Sequence, residues 1–150
     1  MKSIFDEKDR NKLIARINEL GSYSTPEWGK MDVAQMLSHC KKFFTTAYGG
    51  GEASDSWTAK LLGSDSKDYI INNMAGFKKN LQTSPQFLVQ GSCNFDEAKK
   101  ELLTLIDRIA REGHAGLGNA AHPFFGPLTA EEWGILMWKH LDHHLKQFGA

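Results

Sequence analysis

The sequence predicts an all-α fold, a four-helix bundle, on three observations. Apolar residues recur at helical spacing in four separate segments, and capping residues mark the ends of those segments. A long polar connection separates the second segment from the third, longer than simple up-down-up-down topology needs. The chain has 150 residues, 41% of them apolar, which is enough for one continuous core and reads as one domain over 1–150.

The first helix runs from about Asp6 to Leu20, with Leu13, Ile14, Ile17 and Leu20 on one face and Gly21 as its stop. The second is predicted to begin near Thr25, with Pro26 in the first helical position. It continues through Met31, Val33, Met36, Leu37, Cys40, Phe43 and Phe44 to the glycines at 49, 50 and 51. The third opens at Asn94, with Glu97 in capping-box spacing, and carries Leu102, Leu103, Ile106 and Ile109 before Gly113. The fourth opens on a second capping box, Thr129-x-x-Glu132, and runs through Trp133, Leu136, Met137, Leu141 and Leu145 to Phe148. Between the second and third lies the Gly-, Ser-, Asn- and Asp-rich connection from Gly50 to Cys93. It has room for short helices around Trp57–Leu62 and Tyr69–Lys79.

Composition narrows the function classes. Lys plus Arg and Asp plus Glu are equal at 18 each, so no overall field draws the protein to nucleic acid or to an anionic membrane. No apolar stretch approaches the roughly 20 residues that span a bilayer, and Met1–Arg10 lacks the apolar run of a secretory signal, which points to a cytoplasmic protein. Cys40 and Cys93 are far apart and form no Cys-x-x-Cys pair. Both are expected as free thiols, with neither a disulfide framework nor a thiolate zinc site.

The chemistry lies in the histidines. His140 and His144 are four residues apart, so they share a face of the fourth helix, and Trp133, Met137 and Phe148 fall on the same arc. Cβ atoms at that spacing lie about 6 Å apart, a distance at which two imidazoles reach one metal ion. A third ligand is needed. His39, on or beside the apolar face of the second helix with Phe43 and Met36, is the candidate. The alternative is a set of histidines satisfied inside the bundle.

The other polar residues carry weaker expectations. His143 sits at the edge of the inward arc and should point elsewhere. His122, before Pro123, reads as a structural residue near the start of the fourth helix, with a place at the rim of the site as the alternative. His114 is expected to meet helix-terminal carbonyls, and Asp142 to be solvated. Asp32 is the one carboxylate of the second helix that could serve a metal site as a base. Trp28, Trp133 and Trp138 read as packing residues.

Two stretches carry a family resemblance. The segment Trp28-Gly-Lys-Met-Asp-Val-Ala-Gln-Met-Leu-Ser-His39 resembles the second-helix signature of the DinB-like bundles, which closes on a metal-ligand histidine. The run His122-Pro-Phe-Phe-Gly-Pro-Leu-Thr-Ala-Glu-Glu-Trp133, followed by His140-x-x-His143-His144-x-x-Gln147-Phe, looks like the ending of one branch of that superfamily. The resemblance implies a bundle with an up-down-down-up crossover after the second helix and a divalent metal held by His39, His140 and His144. It also implies a pocket that takes in Gln147, a position the family often fills with glutamine.

Characterised relatives of that kind are mainly thiol-dependent transferases and isomerases. The long loop from His122 to Leu128 departs from them. The leading expectation is therefore a metal-dependent enzyme in which zinc, nickel or iron activates a low-molecular-weight thiol toward a small-molecule substrate. Hydrolysis by metal-bound water is the competing chemistry, and a structural or binding bundle is the non-enzymatic alternative; a homodimer is a possible assembly. With three protein ligands the site is expected to be open, and Cys40, about 100° from His39 around the helix, is expected to stay out of it.

Overall fold

The computed structural model describes residues 1–50, 71–72, 77, 79, 87–117, 120–122 and 125–150. The described residues are mostly helical. The expected short helix at Trp57–Leu62 lies outside them, and of Tyr69–Lys79 only 71, 72, 77 and 79 lie within.

Each helix starts where a side chain can take up its first free N–H groups. Helix α1 spans Glu7–Glu19, and the Asp6 carboxylate accepts from the Asp9 N–H at 2.8 Å. Helix α2 spans Val33–Thr45 and is followed by a π-helical turn, Thr46–Gly50, in which Gly49 reverses the chain at φ +95°. Helix α3 spans Phe95–Gly116 and is capped by Asn94, and its regular geometry breaks at Gly113, with φ +61°. Helix α4 spans Ala130–Gln147 and opens on the full Thr129–Glu132 capping box. Just before α4, strand β1 (Ala121–His122) pairs antiparallel with β2 (Gly126–Pro127), a ladder too short for any alternation to announce it.

The start of α2 differs from the sequence expectation. The helix begins at Val33, because Asp32 and Gln35 form a reciprocal capping box there. Gly29, at φ +81°, cannot continue a helix through the Pro26 segment. That segment is instead tied to the far end of α4 by the bond from the Glu27 N–H to the Gln147 carbonyl at 2.7 Å.

Helix α2 packs chiefly on α3, α1 on α4, and α2 also meets α4. Their inner faces share one core that includes Leu13 and Ile17 of α1, Met36 and Phe44 of α2, Leu102 and Ile106 of α3, and Trp133 and Leu141 of α4, all fully buried. Burying each such side chain is worth about 1.5–3 kcal/mol, so this core positions the polar residues embedded in it. Asp142, expected in solvent, lies only 14% exposed between Arg16 at 2.6 Å and Lys146 at 2.7 Å. The face of α4 it occupies is covered by α1, and the ion pair joins the two helices. No described helix is long and apolar enough to cross a membrane.

Candidate metal centre

His39 enters the core from α2, and His140 and His144 enter from successive turns of α4. All three are buried, none more than 7% exposed. Their ligating nitrogens converge: the His39 Nε2 lies 3.0 Å from the Nε2 of His140 and 3.0 Å from the Nε2 of His144. One ligand atom from each residue falls within 4.8 Å of the others, and no carboxylate or thiol joins this group among the described residues.

The outer nitrogens decide which atoms carry protons. The His39 Nδ1 faces the Phe87 carbonyl oxygen at 2.8 Å, which only accepts, so this nitrogen must donate. The Gln147 amide is oriented in the same way. Its Nε2 donates to the Trp28 carbonyl at 2.8 Å, which turns its Oε1 toward the His144 Nδ1 at 2.7 Å, and that nitrogen must donate too. A neutral imidazole with a proton on Nδ1 has only a lone pair on Nε2. His39 and His144 therefore aim two lone pairs at each other across 3.0 Å. Without a cation between them this contact is repulsive.

His140 differs from the other two. Its Nδ1 is buried and hydrogen-bonds to none of the described residues. Its ring lies flat on Phe43, with centroids 3.9 Å apart and planes 7° from parallel. Stacking sets the ring angle of His140, whereas hydrogen bonds set the other two.

Burial also keeps the imidazoles neutral. Desolvation pushes His39 down to about 4, partly opposed by the bond to Phe87, and pushes His144 down to about 3, with His39 adding to the effect. His140 goes well below the ordinary imidazole range from burial and then from its two neighbours. Neutral imidazole is the ligating form. Metal–nitrogen bonds of about 2.0–2.1 Å separate neighbouring ligand nitrogens by about 2.9 Å at octahedral angles and about 3.3 Å at tetrahedral ones. The observed 3.0 Å contacts fall between the two, so the residues fit a divalent ion.

The remaining sequence candidates take other places. The His143 ring lies against Trp28 at 5.6 Å, Phe77 at 5.9 Å and His144 at 5.0 Å, beside the site and outside the converging group. His122 is buried in an aromatic box, stacked on Phe125 at 4.7 Å with Trp133 and Phe43 at 5.4 and 5.5 Å, and burial lowers it to about 3. His114 is exposed and stacks on Phe5 at 4.1 Å. The Cys40 thiol, pushed well up by burial, packs against the Met36 sulfur at 3.8 Å.

Asp32 is exposed and committed to the α2 cap. Asp32→Ala is expected to cost about 1 kcal/mol in a urea melt and to leave metal stoichiometry unchanged. Lost stoichiometry at unaltered stability would return Asp32 to the site.

The family model described as a protein of unknown function, DUF1569, matches residues 5–150. The chain belongs to the DUF1569 family. No curated protein and no solved structure matches it. In this DUF1569 chain two contributors to the site had no sequence signal: the Phe87 carbonyl, because a backbone acceptor has no residue type, and Gly29, whose partner lies more than a hundred residues away.

Proposed function

We propose that this DUF1569 protein is a metal-dependent enzyme of the DinB-like kind. In this reading the helices form a bundle, the connection between α2 and α3 crosses it, and one divalent ion, zinc, nickel or iron, is held by His39, His140 and His144. The carrying observation is the pair of fixed lone pairs, His39 Nε2 and His144 Nε2, facing each other at 3.0 Å. A bound ion supplies Lewis acidity, which lowers the pKa of a thiol or water beside it.

The chain's own residues do the rest. His39 and His144 present lone pairs already oriented by Phe87 and Gln147. Phe43 fixes the plane of His140, and with Phe87 and Phe77 it surrounds the imidazoles with apolar rings that keep water out. The carboxylate named as a candidate base, Asp32, caps a helix at the surface, and no carboxylate joins the three nitrogens among the described residues. That favours a thiol co-substrate, which needs only to be deprotonated and oriented toward an electrophilic small molecule.

Elemental analysis of untagged protein should find one divalent ion per chain. Cobalt-loaded protein should gain a thiolate-to-cobalt band only when a small thiol is added, and Cys40→Ala should keep that response. Protein that takes up no metal would sink the reading. A band present without added thiol and lost in Cys40→Ala would show a closed structural site.

A further inference from the structure

We propose that Gln147 and Gly29 act together as a positioning device for His144, so that a glycine outside the site controls how well the site holds metal. The inference rests on the metal reading above and adds two positioning residues to it.

Gln147 is buried, 3% exposed, and each polar group it carries here is engaged. Its side-chain Oε1 accepts from the His144 Nδ1, its Nε2 donates to the Trp28 carbonyl, and its backbone carbonyl accepts from the Glu27 N–H. The amide cannot flip without setting an N–H donor against the His144 N–H and an oxygen against the Trp28 carbonyl. Its orientation, and with it the His144 tautomer, is therefore dictated by the chain at 27–29.

That stretch can approach so closely only because residue 29 is glycine. A Cβ at Gly29 would fall 2.6 Å from the Gln147 Nε2, and the backbone there is left-handed at φ +81°. Gly29→Ala must displace the amide end that anchors Gln147. Displacing it frees the His144 ring to place its proton on Nε2, the atom that faces His39. An Nε2–H can donate to the His39 lone pair but cannot bind metal. Outer partners of this kind typically set 10- to 100-fold in metal affinity.

Gly91 provides a matched control. It has the same φ of +81°, and among the described residues nothing lies within 4 Å of a Cβ built there. Gly29→Ala and Gly91→Ala therefore both place a side chain on a residue at left-handed φ, and of the two only Gly29 lies beside Gln147.

The experiment measures cobalt affinity by visible absorption for wild type, Gln147→Leu, Gly29→Ala and Gly91→Ala. Ring-nitrogen NMR of the metal-free wild type reads the His144 tautomer directly. We expect Nδ1–H on His144 in the wild type, affinity about 10- to 100-fold weaker in Gln147→Leu, about tenfold weaker in Gly29→Ala, and unchanged in Gly91→Ala. Equal affinities for wild type, Gln147→Leu and Gly29→Ala would overturn the proposal, as would Nε2–H on His144 in the wild type or an equal loss in Gly91→Ala. Should Gln147→Leu fail to fold, the glycine pair and the wild-type tautomer still decide. A wild type that takes up no cobalt fails the metal reading itself, and its His144 tautomer still tells whether Gln147 holds the ring.

Discussion

Replacing His39 with alanine is expected to reduce metal content from about one ion per chain to background, a loss of more than about 100-fold in affinity. Outer partners of a metal ligand account for 10- to 100-fold when removed, and removing a ligand costs more. His39 is also the hub of the group, with its Nε2 3.0 Å from both other nitrogens, so its loss leaves two imidazoles of one helix with no ligand from α2. His143→Ala serves as the contrast. It removes an imidazole next in sequence to His144 that packs on Trp28 and Phe77, and metal content should stay near one. His39→Ala also strips the Phe87 carbonyl of its donor, at about 1–3 kcal/mol, so thermal melts must show that the variant is folded at the temperature of measurement. Stoichiometric metal in folded His39→Ala, or its loss in His143→Ala, would refute the assignment.

The parts of this arrangement legible in the sequence are those carried by local spacing. His140 and His144 share a face because a helix brings every fourth residue back to it, and the apolar residues on the same arc fix which way that face points. The Thr129–Glu132 and Asn94 caps are likewise chemistry within three residues. The start of α2 is ambiguous in the sequence because two cap signals compete there. Thr25-Pro26 and Asp32-x-x-Gln35 are both plausible starts, and the choice is made by the far end of α4, which takes the Glu27 N–H and the Trp28 carbonyl for its own bonds. The burial of Asp142 is not legible for a related reason: periodicity shows that a residue leaves the main core but not that a second helix, here α1 with Arg16, covers that side. The outer partners of the histidines are backbone groups and one distant amide, and no spacing rule reaches across the chain to find them.

Zinc-free protein is expected to be acid-labile in a range where most domains are stable. His39, His122 and His144 have folded pKa values of about 4, 3 and 3, against 6.5 in the unfolded chain, in each case because burial disfavours the charged ring. The unfolded chain then binds more protons than the folded one below 6.5, so stability falls as pH drops and continues to fall until the folded rings are themselves protonated near 4 to 3. At pH 5.5 each residue costs about 1.4 kcal/mol relative to neutral pH, roughly 4 kcal/mol for the three together. That is a large share of the 5–15 kcal/mol typical of a domain, so urea midpoints of zinc-free protein should drop steeply between pH 7 and 5. Metal shifts this limit without changing its origin. Saturation at about a thousand times the dissociation constant adds about 4 kcal/mol, and protons compete with metal for the folded ligands only near their own lowered pKa values. The loaded protein should therefore resist about one further pH unit, and the affinity of folded protein should stay level from pH 7 to 5.5. His122→Phe separates the two effects: it should remove the roughly 1.4 kcal/mol of acid sensitivity that His122 contributes at pH 5.5 and leave the affinity for zinc unchanged. A zinc-free protein whose stability is flat from pH 7.5 to 5 would contradict the neutral buried rings. An affinity that falls tenfold per pH unit already below 6.5 would mean that the ligands titrate as exposed imidazoles do.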